Sequence, residues 1–443
     1  MSKGLIRSHT SFLTGRFNKQ TNEDNGNEIL KTAFVVGNGL RGKLGLGYQR
    51  HIREVLKHEE MPDNMIRLCC GEHHAVSLTS SLNVCTWGSN KEGQLGYDTS
   101  GSNEDVTFFD VMKDGKSEQP IQMAKSPKKP KPDPLLCELS AVVPSLIAKS
   151  VTNIAASNSS TFALTSDGFL YSWGSNEEGE LALGDVQNTK IPSLVQFFEG
   201  TPIKDIIAGG HHVLAVVENG DLYSWGRNKE GQLCLTDLFS IKEKFSVPQE
   251  VITIQSICRG ISLKKIVAGN NHSIALLSDG SVLVWGENTH GQLGLADNVN
   301  RHEAAQLKFE GQSIIDVNAS HSASYVLTQS GFVYVFGKCD RGQLGIGKPD
   351  PEFLPHFKNQ NRPTLLRVQP GVSRLFTSAM SDHVFLLTKD KRVFVFGDNE
   401  DKECCVKDED IVWSPKELTN LKREDKRLLN IVTGQHCTFL FYD

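Results

Sequence analysis

Short runs in which hydrophobic and polar residues alternate recur along the chain, and they occur in pairs around tight turns. One pair is SIALL (273–277) and SVLVWG (281–286), which flank Ser278-Asp279-Gly280. Alternation with a period of two is typical of a strand buried on one face. An Asp-Gly or Asn-Gly turn between two such runs predicts a β-hairpin. The pattern therefore predicts an all-β protein made of repeated hairpins.

A doublet of one apolar residue and glycine recurs at intervals of about 50–60 residues, with one longer gap of 86 residues between Trp87 and Trp173. The seven doublets are Val36-Gly37, Trp87-Gly88, Trp173-Gly174, Trp225-Gly226, Trp285-Gly286, Phe336-Gly337 and Phe396-Gly397. A glycine-rich turn such as GSNKEGQLG (88–96) follows most of them. Repeats of this length, built from short strands, predict a β-propeller in which the aromatic residue of the doublet lies between neighbouring sheets.

The two ends of the chain complement each other. The first copy, AFVVGNGLRGKLGLG (33–47), has no hairpin before it, and the last, IVTGQHCTFLFYD (431–443), has no doublet after it. Because a closed ring leaves no sheet edge unpaired, strands from both ends are expected to share a blade. We therefore predict a seven-bladed β-propeller over residues 32–443, with the N- and C-terminal strands sharing one blade. A closed ring needs no partner to cover its edges, so a monomer is expected.

Two segments lie outside the repeat pattern. Residues 1–31 are polar and predict a flexible tail. Residues 99–148 form a long insertion with the Lys- and Pro-rich string KSPKKPKPDP (125–134), whose prolines disfavour a helix or a central strand. The string is typical of both a nuclear import signal and a solvated linker, and both interpretations stay open. Its lysines are Lys125, Lys128, Lys129 and Lys131.

Composition excludes several classes of protein. Hydrophobic residues make up 38% of the chain and charged residues 22%, which indicates a globular protein. The formal net charge of −5 means that any contact with DNA needs a local basic patch. The first residues do not resemble a signal peptide and no apolar run is long enough to span a membrane. The ten cysteines include no CxxC, so we expect reduced thiols in a nuclear or cytoplasmic protein, with the nucleus favoured.

The sequence offers no case for covalent catalysis. Gly37-x-Gly39-x-x-Gly42 matches a dinucleotide fingerprint, but that fingerprint requires a helix after it and KLGLG follows instead. In the pairs His73-His74 and His211-His212, neighbouring strand residues point to opposite faces, so one ion is not expected to bind both. We expect no cofactor and no metal.

The repeats resemble those of the regulator of chromosome condensation family. The shared signature is a G-x-x-H opening, the hairpin, the Trp-Gly doublet and GQLG. The opening is present as GEHHAVSL (71–78), GGHHVLAV (209–216), GNNHSIAL (269–276) and GQHCTFLF (434–441). The string GQLGYDTS (93–100) and the last repeat, DEDIVWSPKEL (408–418), are similar to the founding Ran exchange factor of that family.

The resemblance implies nucleotide exchange on a small GTPase of the Ran type, which is catalysis without bond chemistry. The family's GTPase-binding face corresponds to the residues beside the G-x-x-H positions and to the loop SNEEGELALG (175–184). The residues expected to bind the partner are Glu72, Asn158, Glu177, Glu178, His211, Asn271, Asp382 and Gln435.

The chain departs from the family at three of these places. Asn158, His211 and Ser322 stand where the resemblance implies other residue types, and the loop 175–184 is shorter and more acidic. These departures favour an alternative: a non-catalytic interaction scaffold that has lost the exchange face. A third hypothesis is chromatin binding through residues 1–20 and the lysine cluster, which predicts steep salt dependence.

Overall fold

A computed structural model of the protein describes residues 29–30, 32–62, 64–97, 136–235, 242–258, 260–348, 359–421 and 427–443. The predicted tail and the lysine cluster lie outside these residues, apart from the short segment 29–30. The described strands, numbered along the chain, form seven four-stranded antiparallel sheets arranged in a ring. The predicted seven-bladed β-propeller is confirmed.

Each of the first three blades uses four consecutive strands. Blade 1 contains β3 (Met65–Cys70), β4 (His74–Thr79), β5 (Val84–Ser89) and β6 (Leu136–Val142). Blade 2 contains β7 (Val151–Ala156), β8 (Ser160–Thr165), β9 (Leu170–Gly174) and β10 (Thr189–Leu194). Blade 3 contains β11 (Ile203–Ala208), β12 (His212–Val217), β13 (Leu222–Arg227) and β14 (Lys244–Glu250). The segment 99–148, predicted as an insertion, thus includes the outer strand of blade 1.

The next three blades repeat this order. Blade 4 contains β15 (Leu263–Ala268), β16 (His272–Leu277), β17 (Val282–Gly286) and β18 (Arg301–Leu307). Blade 5 contains β19 (Ile314–Ala319), β20 (Ala323–Thr328), β21 (Val333–Gly337) and β22 (Gln360–Leu366). Blade 6 contains β23 (Val372–Phe376), β24 (His383–Thr388), β25 (Val393–Asp398) and β26 (Ile411–Glu417).

The seventh blade, called the closing blade below, joins the two ends of the chain. Its strands are β27 (Leu428–Gly434), β28 (Cys437–Tyr442), β1 (Thr32–Gly37) and β2 (Ile52–His58). Strand β1 pairs with β28 from Thr32 opposite Tyr442 to Gly37 opposite Cys437. The expectation that terminal strands share a blade is therefore confirmed.

Helical structure in the described residues is short. The α-helix Ile252–Cys258 has seven residues and lies between β14 and β15. Short 3-10 turns cover Leu40–Gly42, Pro144–Leu146, Gln196–Phe198 and Thr419–Leu421. The first of them forms the end of the dinucleotide-like string and leads to strand β2. None of the helices within the ranges given above has the length and apolar character needed to cross a bilayer.

The aromatic residue of each doublet lies between two blades, as the repeat predicts. Trp87, Trp173, Trp225 and Trp285 have 0% exposure. Each indole Nε1–H donates to a backbone carbonyl in the preceding blade, for example from Trp225 to Glu180 at 2.7 Å and from Trp285 to Gln232 at 3.0 Å. Because both the ring and its N–H are satisfied, the tryptophan fixes the spacing between neighbouring sheets.

Blade 6 has Phe396 at this position, which has no N–H to donate. The carbonyl of Gln343, which is the corresponding acceptor in blade 5, instead receives the hydroxyl of Tyr325 at 2.7 Å. The Tyr325 ring lies 6.5 Å from that of Phe396. The tyrosine thus supplies the hydrogen bond that the phenylalanine lacks, and the buried carbonyl keeps its partner.

Candidate partner-binding face

The turn between the first and second strand of each blade contains the G-x-x-H opening or its equivalent. All these turns lie at the same end of the ring, because the blades are related by the repeat. The first strands are the innermost, since β3 contacts both β7 and β27. The openings therefore form the inner rim of one face, which we call the opening face.

Backbone hydrogen bonds connect the opening turns from blade to blade. The residue after the glycine donates its N–H to the carbonyl at the corresponding place in the next blade. Donor–acceptor distances are 2.9 to 3.2 Å for the pairs Glu72–Asn158, Asn158–Gly210, Gly210–Asn270, Asn270–His321 and His321–Ser381. Because these donors are satisfied within the ring, the backbone of the opening face is rigid and presents side chains in fixed positions.

The histidine that ends each opening is a buried structural group. His74, His212, His272 and His383 are at most 1% exposed. Each directs Nε2 at a hydroxyl of the next blade, for example Ser324 at 3.0 Å from His272. Burial lowers the pKa of all four to about 3. These side chains are neutral and face the blade interface, so they are not available to a partner.

The residue before that histidine is oriented by its own backbone. Its carbonyl accepts the N–H of the residue after the doublet glycine, as in Arg227 to His211 at 2.9 Å and Asp398 to Asp382 at 3.0 Å. The side chain at this position is then partly exposed on the opening face, except that of Ser322 in blade 5, which is 6% exposed. The sequence placed His211, Asn271 and Asp382 at this position, and the structure shows all three there, half-buried.

Blades 1 to 3 bring several of the predicted partner-binding residues together. Asn158 Nδ2 lies 2.8 Å from His211 Nε2, and His211 Nδ1 lies 3.6 Å from Oε1 of Glu180. The carboxylate of Glu72 pairs with His73 at 3.2 Å. That hydrogen bond is the main reason why the pKa of Glu72 is lowered, and the charges of Arg41 and His211 lower it further. Glu72 is therefore an anion beside a polar cluster of Asn158 and His211.

The acidic loop after β9 is more ordered than its composition predicts. Glu177 is exposed and Glu178 is half-buried, so both present carboxylates at the rim. Glu180 is only 1% exposed, and one of its carboxylate oxygens accepts the N–H of Glu178 at 2.8 Å. Glu180 therefore holds the loop and the His211 ring, and it does not belong to the exposed acidic surface.

The remaining predicted residues lie apart from this cluster. Asn271 accepts from Gln232 at 3.3 Å and donates to Glu287 at 3.3 Å. Gln435 accepts a hydrogen bond from Lys43 through its backbone carbonyl at 2.5 Å. Asp382 is half-buried on the opening face of blade 6. The lysines of the suggested import signal lie outside the described residues.

Sequence reasoning counted Glu180 among the acidic residues of the loop 175–184 and did not single out Glu403, yet both glutamates are buried. In four repeats the turn after the doublet has Gln at this place, namely Gln94, Gln232, Gln292 and Gln343. Glu180 and Glu403 replace it in blades 2 and 6, and each faces a histidine of the next blade, His211 at 3.6 Å and His436 at 3.5 Å. The sequence signal for these two residues was the change from GQL in other repeats to GEL (179–181) and KEC (402–404).

The pair of Glu403 and His436 has two further carboxylates beside it, those of Asp398 and Asp401. Burial and the neighbouring Glu403 raise the pKa of Asp398 to about 6. The carboxylate of Glu403, 3.5 Å from Nδ1 of His436, raises the pKa of that histidine above its ordinary value, although burial opposes it. Asp401 contacts the same histidine at 3.7 Å and also accepts from His51 at 2.7 Å. The opening face thus has two glutamate–histidine pairs, one at each side of the ring.

Residues 32–440 match the family described as the RCC1-like domain. The chain belongs to this family. The human regulator of chromosome condensation is 25% identical over 425 residues, which cover 93% of this chain and 90% of that protein.

Other relatives in the family have different roles. The ultraviolet-B receptor UVR8 of Arabidopsis thaliana is 29% identical over 346 residues, which cover 76% of this chain and 66% of that receptor. The structure of Prp20p from Saccharomyces cerevisiae, reported with its binding properties to Gsp1p and histones, is 22% identical with a TM-score of 0.72 and covers 95% of each chain. At that identity the structural likeness shows the fold alone, and the family includes both a receptor and regulators of chromosome condensation.

Proposed function

We propose that the opening face binds a small GTPase of the Ran type and accelerates release of its guanine nucleotide. The observation that carries this proposal is the cluster of Glu72, Asn158 and His211, held on a hydrogen-bonded backbone ring and flanked by the acidic loop with Glu177 and Glu178. The 25% identity to the regulator of chromosome condensation, over nearly the full length of both chains, supports the same function.

Exchange follows from a difference in affinity. A propeller that binds the nucleotide-free GTPase more tightly than the loaded form weakens nucleotide binding by the same factor, because the two equilibria are linked. Carboxylates at the rim, such as Glu72 and Glu177, suit this role because they compete with the phosphates for basic groups of the GTPase. A rigid face keeps the entropy cost of association low.

A specific observation favours the scaffold as a second candidate. The residues that depart from the family already have partners within the propeller. Asn158 and His211 contact each other at 2.8 Å, and Ser322, which is 6% exposed, contacts His321 at 2.9 Å. A face whose polar groups are satisfied internally gains less from a partner. A scaffold would bind its partner equally well in every nucleotide state.

Release of a fluorescent GDP analogue from a Ran-type GTPase separates the two functions. The proposal predicts acceleration by orders of magnitude with a catalytic amount of the chain. Glu72→Gln is expected to reduce that rate at least about tenfold, since the loss of a charged contact costs about 1.5–3 kcal/mol.

Glu218→Gln is the matched control for this experiment. Glu218 is an exposed glutamate in the hairpin turn between β12 and β13, at the opposite end of the blade. Its substitution is expected to leave the rate unchanged. Absence of any acceleration by a chain that melts cooperatively would remove exchange on that GTPase, and binding that is independent of nucleotide would then support the scaffold. The chromatin contact expected of residues 1–20 stays a separate prediction.

A further inference from the structure

Three side chains that bind metals in other proteins converge where blade 6 meets the closing blade. Asp398 is the last residue of β25, Glu403 lies in the turn after it, and His436 lies in the turn between β27 and β28. One nitrogen or oxygen atom from each lies within 4.8 Å of the others. Asp398 and Glu403 belong to blade 6 and His436 to the blade that follows it in the chain, so packing between these two blades brings the three side chains together.

One carboxylate oxygen of Glu403 has no hydrogen-bond partner. Glu403 is 0% exposed, and its Oε2 accepts the N–H of Asp401 at 2.9 Å. Its Oε1 is buried without a hydrogen-bond partner and lies 3.5 Å from Nδ1 of His436. A buried carboxylate oxygen without a partner is costly, and this one is directed at the space between the three side chains.

The charges around the group favour a cation. Asp398 is 4% exposed and has Arg341 at 3.6 Å, while Lys43 donates to the carbonyl of Gln435 at 2.5 Å. Lys402 in the same turn pairs with Asp410 at 2.6 Å. Arg341 and Lys43 are therefore opposed by four carboxylates of that turn, those of Asp398, Glu400, Asp401 and Glu403. The cluster therefore keeps a net negative charge.

The other glutamate–histidine pair shows what is special about this place. In blade 2, Glu180 faces His211 at 3.6 Å, but the residue that corresponds to Asp398 is Ser175. The pair in blade 2 consequently lacks the second carboxylate. It provides a natural comparison with the same two residue types and one potential ligand fewer.

We propose that Asp398, Glu403 and His436 bind one divalent transition-metal cation, best fitted by Zn²⁺, which joins blade 6 to the closing blade. One imidazole and two carboxylates form a mixed set typical of zinc, whereas Mg²⁺ and Ca²⁺ prefer oxygen ligands alone. Ligand distances of about 2 Å require the three atoms, which lie within 4.8 Å of one another, to move closer together. Asp401, whose carboxylate lies 3.7 Å from Nδ1 of His436 and accepts from His51 at 2.7 Å, adds negative charge beside the group.

Titration of the full chain with Zn²⁺ after treatment with a chelator tests the proposal. We expect calorimetry to show one site that Glu403→Gln weakens at least about tenfold, a loss typical of disturbed metal sites. Four repeats have Gln at this position, so the variant is compatible with the fold. Glu180→Gln is the matched control, and it is expected to leave Zn²⁺ binding unchanged.

Thermal unfolding gives a second measurement. Zn²⁺ is expected to raise the melting temperature of the wild type and of Glu180→Gln, but not that of Glu403→Gln, because only a cation bound to the folded state stabilises it. His436→Asn, which introduces the residue that blade 4 has at this position as Asn271, is expected to behave like Glu403→Gln.

Two results would overturn the proposal. One is the absence of stoichiometric Zn²⁺ binding by the wild type, which would leave the group as a glutamate–histidine pair that holds a proton. The other is Zn²⁺ binding that both Glu403→Gln and His436→Asn retain, which would assign the cation to cysteine thiols or other groups.

Discussion

Four repeat histidines lie buried between blades, and the hydroxyls that they contact determine their protonation. The hydroxyl of Ser324 donates to the carbonyl of Gln292 at 2.6 Å, so it accepts from Nε2 of His272 at 3.0 Å. Nε2 therefore has the proton and Nδ1 is bare, consistent with a buried Nδ1 that has no hydrogen-bond partner. The same relay links His74 to Thr161 and His383 to Thr438. The G-x-x-H histidine is thus a neutral link between blades.

These histidines predict a loss of stability in mild acid. Burial lowers the pKa of His272 from 6.5 to about 3. Between these two pH values the imidazole therefore binds a proton in the unfolded chain but not in the folded chain. Stability is complete above that pH and falls as the pH decreases toward 3, by about 1.4 kcal/mol per pH unit for each such histidine. Denaturant unfolding at several pH values would measure the slope.

A glutamine can test the contribution of one of these histidines, since its amide also donates a hydrogen bond but does not titrate. His272→Gln is expected to reduce the slope by about 1.4 kcal/mol per pH unit below pH 6.5. His290→Gln, in a half-buried surface turn, controls for removal of a histidine. An unchanged slope in His272→Gln would show that His272 is already protonated in the folded state.

At the scale of a strand, the glycine of each doublet allows the third strand to pass close to the opening turn. Gly286 has φ of +99°, and a Cβ there would lie 2.5 Å from the carbonyl oxygen of Asn271 and 2.8 Å from Cα of His272. The opening turn that it touches belongs to the proposed partner-binding face. The doublet glycine therefore connects the local hairpin to the position of the functional side chains.

Gly286→Ala is expected to lower the free energy of unfolding by about 3 kcal/mol or more, because it combines backbone strain with a clash against main-chain atoms. Gly311→Ala provides the matched control, since Gly311 has φ of +66° but no atom within 4 Å of an added Cβ. That variant is expected to cost only about 1 kcal/mol of left-handed strain. Equal losses, measured by denaturant unfolding, would show that the close approach is not important.

Local signals explain why the second and third strands of each blade were predictable and the outer strands were not. The second and third strands have alternating patterns, a turn and a doublet, and the run SIALL became β16 as expected. Outer strands are half-exposed and irregular, as in β10, whose sequence TKIPSL includes Pro192. Strand β6 was assigned to an insertion because its pattern has no doublet or turn signal beside it.

In the candidate site, the position of a residue within its blade was predictable, but contacts between residues of different blades were not. The G-x-x-H pattern located Glu72, His211 and Asp382 on one face, because their positions follow from the repeat. The pairing of Glu180 with His211 and the group of Asp398, Glu403 and His436 depend on contacts between blades. Such contacts cannot be derived from the period of one blade, because the register between neighbouring sheets is set by packing.

At the scale of the whole ring, stability depends on the closing blade. Its two halves, β27–β28 and β1–β2, come from opposite ends of the chain and are joined by hydrogen bonds between β28 and β1. Strand β28 pairs with β1 on one side and with β27 on the other, so its hydrogen bonds connect the two ends of the chain. The proposed zinc site lies at the neighbouring seam between the closing blade and blade 6. In repeat proteins each unit is stabilised mainly by its neighbours, and the weakest unit opens first. We therefore expect the closing blade to open first.

Phe439→Ala and Phe385→Ala test this idea at equivalent positions of the closing blade and blade 6. Both side chains have 0% exposure, and each substitution is expected to cost about 3–5 kcal/mol. Phe439→Ala should cause amide hydrogens of β1 and β28 to exchange faster than those of blades 2 to 4, because the closing blade then opens without the rest of the ring. Phe385→Ala should not single out β1. If hydrogen exchange instead accelerates uniformly around the ring in Phe439→Ala, the propeller opens as one cooperative unit. The closing blade, joined by hydrogen bonds, would then be as stable as the blades built from one continuous segment of chain.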